Sequence, residues 1–170
     1  LENMGSAFFI SIMVPVFLSA LLRIRQGELG IYYIILPFVI AYMSDSFALF
    51  AGMLFGKHKL APVLSPKKTV EGLIGGILAG ILSMVIYALI LDIAFPQFRV
   101  NYGIAILYGL VGSLAGVFGD LCFSIIKRQT GIKDYGNLIP GHGGVLDRFD
   151  SMMMVAPLVE SLLLLAPVVI

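Results

Sequence analysis

"YGIAILYGLVGSLAGVFGDLCFSIIKR", residues 102–128, is apolar for most of its length and then turns abruptly basic. A helix that crosses a bilayer needs roughly 20 mostly apolar residues, and Tyr102 to about Ile126 supplies them. Gly109, Gly112, Gly116 and Gly119 follow one another at steps of three, four and three, which puts them on one strip of a helix. Such strips let helix backbones approach closely in lipid, where packing rather than hydrophobicity drives association. Asp120, Ser124 and Lys127 follow at steps of four and three. They share a face that leads from the membrane to its edge.

The rest of the chain agrees with a membrane setting. Of its 170 residues 59% are hydrophobic and only 12% charged, with a mean hydropathy of +1.03. A soluble domain carries about 25% charged residues, so this chain has too little charge to cover a water-facing surface. The net charge of +1 says little, because its distribution matters more. One cysteine, Cys122, excludes an internal disulfide and a multi-cysteine metal centre. The chain starts at Leu1, and no charged segment of a cleavable signal precedes the first apolar run. It therefore reads as a fragment or a trimmed chain whose earlier portion is missing.

Five stretches are apolar enough to span: about Met4–Leu22, Gly30–Phe55, Leu73–Leu91, Tyr102–Ile126 and Ser151–Ile170. The second contains Asp45 and the fifth Pro157, Glu160 and Pro167. The expected architecture is thus all-α, a polytopic bundle of about five transmembrane helices. With simple alternation, the second and fourth connections lie on one side and hold eight Lys and Arg, against three on the other. The positive-inside rule assigns those two connections to the cytoplasm. In the third stretch Gly72, Gly76 and Gly80 recur at four-residue steps. This strip and that of the fourth stretch fit a packed monomer core, room for a lipid, or a homodimer.

Polar residues in this background are candidates for chemistry. A carboxylate at membrane depth needs a partner, a cavity or an ion; Asp45, in "AYMSDSFALF", is either a hydrogen-bonding acid between helices or part of a site. Asp120 raises the same choice, as a structural partner of Lys127 or as a pocket wall. In "IPGHGG" the glycines allow tight turns and exposed amides, but the pattern is neither a Walker A loop nor a dinucleotide fingerprint. His142 fits a turn residue or a contact to phosphate or metal. Asp147 and Asp150, three apart in "LDRFD", share a face if they open the fifth helix. They are surface acids at a helix start, or close like charges that a divalent cation would offset. "SPKKTVEG", from Ser65, brings Lys67, Lys68 and Thr69, cations for anionic lipid or for a polyphosphate. Acids for metal and bases for phosphate on one side of a membrane point to metal-assisted phosphoryl or nucleotidyl transfer.

"SIIKRQTGIKDYGNLIPGHGGVLDRFD", residues 124–150, closely resembles the signature of the phosphatidate cytidylyltransferases, the CDP-diacylglycerol synthases. Ser124, Lys127, Arg128, Lys133, Asp134, Gly136, Pro140, His142, Gly143, Gly144, Asp147, Arg148 and Asp150 all fit it. "SDSFALFAGMLFGKHKLAPVLSPKKTVEG" and "GDLCFSIIKR" also look like the family, so the resemblance covers roughly Ala41 to Asp150. It implies that residues 1–170 form the C-terminal catalytic domain of a longer enzyme in the bacterial inner membrane, with its site facing the cytoplasm. The implied reaction joins CTP and phosphatidate into CDP-diacylglycerol and pyrophosphate. The implied cofactor is Mg2+, with K+ beside it; membrane lipid is a partner and nucleic acid is not. Asp120 and Asp147, then Asp150 and Asp45, are the expected metal ligands. Asp120, Lys127, Arg128, Asp147, Arg148 and Asp150 are the expected catalytic set, the three bases meeting the phosphatidate phosphate or the developing charge. Ser65, Lys67, Lys68, Thr69, Ser124, Lys133, His142, Gly143 and Gly144 are expected to bind phosphate and cofactor.

Other classes fit less well. An ion-coupled transporter would use Asp45, Asp120 and Glu160 and proline-interrupted helices, but it leaves the loop lysines and "GHGGVLDRFD" unexplained. A CDP-alcohol transferase would need a different paired-acid motif. A scaffold would not need the acids at all.

Overall fold

A computed structural model describes residues 2–62, 64–132, 134–136 and 144–169, with side chains from residue 7 onward. Lys133, Pro140, His142 and Gly143, expected at the site, lie outside the described residues.

The chain folds as α1 (Glu2–Gln26), α2 (Gly30–Tyr33), α3 (Ile35–Phe55), β1 (Lys59–Ala61), β2 (Ser65–Thr69), α4 (Val70–Ala94), α5 (Tyr102–Gln129), α6 (Leu146–Phe149) and α7 (Met152–Leu165). Four spans among the described residues are long and apolar enough to cross a membrane: Ala7–Gln26, Gly30–Phe55, Val70–Ala94 and Tyr102–Gln129. The protein is a membrane-embedded helical bundle.

The fifth expected span is corrected to a shorter helix. α7 has 14 residues, about 21 Å at 1.5 Å each, against a hydrocarbon core of about 30 Å. Ala166 leaves the helix with φ −152° and ψ 83°. It precedes Pro167, whose ring disfavours helical geometry in the residue before it. The chain continues without helix: Asn101 donates to the Val168 carbonyl (2.9 Å) and Val169 bridges Val100. A proline also explains the break between α2 and α3. Pro37 has no N–H to offer the carbonyl of Tyr33, four residues back, and Ile34 forms a turn there.

The second expected polar connection contains an antiparallel hairpin, β1 with β2, paired Lys59 to Thr69 and Ala61 to Ser65. Thr69 closes it and starts α4: its hydroxyl accepts from the Gly72 amide at 3.1 Å, an N-cap.

α3 packs along α4, α4 along α5, and α7 against α1 and α5. Leu36, Ile40, Met84, Tyr108, Phe123 and Met152 are fully buried among them. Phe47, Leu54, Phe55, Leu78, Leu82 and Ile93 are exposed, an apolar exterior that suits lipid. The glycine strips are used inside the chain. A Cβ on Gly109 would stand 2.5 Å from Ile81 Cα and 2.6 Å from the Gly80 carbonyl, so α4 and α5 cross backbone to backbone.

The two ends of the bundle differ. At one, Tyr32 packs on Phe95 and Phe98 with ring centroids 4.9 and 5.4 Å away. At the other, Arg128 Nε reaches the Leu64 carbonyl at 3.5 Å, joining the end of α5 to the hairpin. The two basic connections therefore share one end.

Candidate active site

Asp120 stands about 27 Å along α5 from Tyr102 at 1.5 Å per residue, close to the thickness of a hydrocarbon core. It lies toward the end of α5 that carries Lys127 and Arg128. Here Gly119 has a specific use: a Cβ would meet the Asp150 carbonyl at 2.9 Å. Its absence lets the turn between α6 and α7 lie against α5 beside Asp120.

Around this junction the acids are held by named partners. Ser124, one turn on, donates to Asp120 Oδ1 at 3.3 Å. Lys68, at the end of the hairpin, forms an ion pair with Asp120 Oδ2. Lys127 Nζ donates to Asp147 Oδ1 at 3.0 Å and lies 3.7 Å from Asp150 Oδ2. Asp147 Oδ2 accepts from the amides of Tyr135 (2.8 Å) and Gly144 (2.9 Å). The Ser151 hydroxyl donates to Asp45 Oδ2 at 2.7 Å, and its amide to Asp150 Oδ1 at 2.9 Å. Tyr135 supports Lys127 from its ring, 5.5 Å from Nζ to the centroid, and donates its hydroxyl to the Phe123 carbonyl at 3.1 Å.

Asp45, Asp120, Asp147 and Asp150 all line one cavity of about 680 Å³. Lys59, Ser65, Lys67, Lys68 and Thr69 line it from the hairpin. Leu49, Met53, Leu60, Leu73 and Val117 give it an apolar wall. The volume is that of a small-molecule site, and the lining combines acids, amines and hydrocarbon.

Electrostatics separates the two acids of the α6–α7 turn. Burial pushes Asp147 up, but the Lys127 bond and two backbone amides outweigh it and hold the carboxyl below its ordinary value. Asp150 is pushed up to about 7, by burial and then by the nearby Asp120 carboxylate, with the Ser151 amide and Lys127 opposing. Tyr135 is pushed up to about 12 by burial and by Asp147 and Asp150. The turn sets two acids, Asp147 and Asp150, against the one lysine that contacts both, an excess of acid over base in these contacts.

That excess bears on a cation. Four carboxylates face the cavity, while Lys68 and Lys127 touch them directly. The oxygen donors suit a hard divalent ion, and a bound cation would favour the ionised form of Asp150, which burial and then Asp120 disfavour. Among the described residues no three of His, Cys, Asp or Glu form a ready chelate: Lys127 stands between Asp147 and Asp150, and Lys68 on Asp120. The set fits a metal in type and charge, with lysines where cations are needed.

The expected residues are not all equal. Thr69 lines the cavity, but its hydroxyl caps α4. Arg128 and Arg148 are exposed and absent from the lining. Ser151 and Lys59 were not anticipated; a serine after "DRFD" and one loop lysine among four carry no distinguishing signal. Glu71 was placed only as part of a loop, yet it accepts three bonds, from the Lys57 and His58 amides (3.1 and 3.2 Å) and from the His58 ring (2.6 Å). Glu160 is occupied by Arg23 through Nε and by a 2.7 Å bond from Nη2.

A sequence-family model described as the cytidylyltransferase family matches residues 1–166. The phosphatidate cytidylyltransferase of Staphylococcus haemolyticus (strain JCSC1435) is 44% identical over 138 residues, 79% of this chain and 50% of the relative. That of Staphylococcus aureus (strain COL) is 40% identical over 164 residues, 95% of this chain and 60% of the relative. The chain thus spans about half to three fifths of the length of these relatives.

Proposed function

Because the chain belongs to the cytidylyltransferase family, we propose that it forms the catalytic part of a phosphatidate cytidylyltransferase. CTP and phosphatidate would give CDP-diacylglycerol and pyrophosphate. The observation that carries this reading is the convergence of four carboxylates and the hairpin lysines on one half-apolar cavity, toward the basic end of the bundle. A phosphate on a diacylglycerol needs such a place: an anion site beside a hydrocarbon wall.

A phosphate oxygen of phosphatidate attacks the α-phosphorus of CTP, and the bond from that phosphorus to the bridging oxygen breaks. Pyrophosphate leaves with the electron pair. The attacking monoester is already anionic near neutral pH, so alignment and charge compensation dominate. Bound Mg2+ would supply charge neutralisation at the phosphoryl oxygens, and Asp120, Asp147, Asp150 and Asp45 are the residues that would hold it. Asp147, fixed by Lys127 and two amides, is the most rigidly oriented of the four. Lys68 and Lys67, with Ser65, approach from the hairpin and suit the triphosphate. Lys127 spans the α6–α7 turn and suits the lipid phosphate. The basic end faces the cytoplasm, where CTP is, in keeping with its eight Lys and Arg.

A transporter reading draws less support. Its third acid, Glu160, is neutralised by Arg23 away from the cavity. The test is CTP-dependent release of pyrophosphate by the purified full protein in phosphatidate-containing micelles. The reading expects equal amounts of pyrophosphate and CDP-diacylglycerol. Absence of both, with folded protein, overturns it.

A further inference from the structure

Among the described residues, the hairpin that carries Lys59, Ser65, Lys67 and Lys68 into the cavity packs on α3 and α4 and is tied to the helices by a small set of polar contacts. Its tip touches α5 through the 3.5 Å contact from Arg128 Nε to the Leu64 carbonyl. Its floor contact is the Lys68–Asp120 ion pair. Its base is gripped by a different residue. Glu71 sits in the first turn of α4 and turns its carboxylate back on the segment that leads into β1. Oε2 accepts the amides of Lys57 and His58 at 3.1 and 3.2 Å, and Oε1 lies 2.6 Å from His58 Nδ1. An ionised carboxylate only accepts, so Nδ1 carries the proton of that bond. The His58 carbonyl takes the Val70 amide at 2.9 Å, completing the ring.

We infer that Glu71 is a positioning residue: with His58 it clamps the two ends of the hairpin together and so sets the lysines against the triphosphate. The kinetic part of this inference rests on the function proposed above. The clamp stands outside the cavity, since neither Glu71 nor His58 lines it, so it acts through the lysines and not on substrate. The physical reason is loop closure. Charge-assisted bonds at the base hold a flexible segment in one register. Without them the lysines sample many positions, and binding must restore the order. Lys68 is the most sensitive. Its ammonium is buried and forms its ion pair with Asp120. A small shift of the hairpin changes what it can reach.

A bland alternative exists, since an acid in the first turn of a helix favours the helix dipole. Two readouts separate the roles. The first is amide hydrogen exchange without substrate, on the full protein in detergent. Glu71→Ala should speed exchange across residues 57–69 by about tenfold or more, leaving α5 unchanged. His58→Ala, which keeps the amide bonds, should do so less. The second is steady-state kinetics. Glu71→Ala should raise KM for CTP by about tenfold with kcat within about threefold and KM for phosphatidate unmoved. Glu71→Gln, which keeps an acceptor, should fall between and serves if the alanine variant does not fold. A lowered Tm with KM for CTP unchanged overturns the inference, as do unchanged hairpin amides. Should the wild type turn over no CTP, the proposed reaction fails, and the exchange data alone decide the clamp.

Discussion

Arg23 with Glu160, and Lys127 with Asp147 and Asp150, are both clusters of charge in an apolar bundle. The first closes on itself: one guanidinium holds both carboxylate oxygens of one acid. The second does not. Two acids share one lysine, Asp120 and Asp45 stand nearby, and Asp150 is left with a proton affinity near neutrality. A charge matched to one partner ties helices together. Charges gathered without enough partners wait for something to balance them, and such a cluster is a candidate site.

The largest effect should divide these clusters. Asp120→Asn and Asp147→Asn should each lower CTP-dependent turnover by at least about a hundredfold, measured as CDP-diacylglycerol formed per minute. Turnover within a few-fold of wild type would erase the distinction. Next, Gly119→Ala pushes on the Asp150 carbonyl, which stands 2.9 Å from the added carbon. Misplacing the turn by even a fraction of an ångström should lower kcat by about tenfold to a hundredfold. Gly116→Ala, whose added carbon meets side-chain atoms at 3.4 and 3.7 Å, is the mild control.

Stability against pH sharpens the contrast. Asp150 has its carboxyl raised from 3.8 to about 7. Between those values the unfolded chain has lost the proton that the folded chain keeps, so the metal-free protein loses stability as pH rises through that window. Asp150→Asn removes the penalty. Its Tm should exceed that of the wild type at pH 8, and the two should converge near pH 4. The smallest effect belongs to the closed pair. Arg23 is 54% exposed, and Glu160→Gln should lower Tm only slightly and leave turnover unchanged.

Much of this was legible beforehand. The span Gly30–Phe55 could be read from hydropathy with its bounds, because lipid imposes long apolar runs and little else does. Asp45 and Asp120, which line the cavity, were legible for the same reason, as carboxylates inside apolar runs. The length of α7 was not, because Pro167 acts on Ala166 only through backbone sterics that hydropathy ignores. The hairpin was hidden in "SPKKT", polar and lacking the alternation of a half-buried strand. The bond between Asp45 and Ser151 joins residues 106 apart, and no local pattern announces it. Glu71 read as a loop acid, since its partners are mainly backbone amides.

The central claim is that the unbalanced cluster, and not the closed pair, is built to receive a cation. Anomalous diffraction from crystals of the full protein grown with Mn2+ tests it directly. The account predicts a peak between Asp120 and the Asp147–Asp150 turn, with Lys68 moved off Asp120. A peak beside Glu160, or a saturated ion elsewhere with the carboxylate cluster empty, would contradict it.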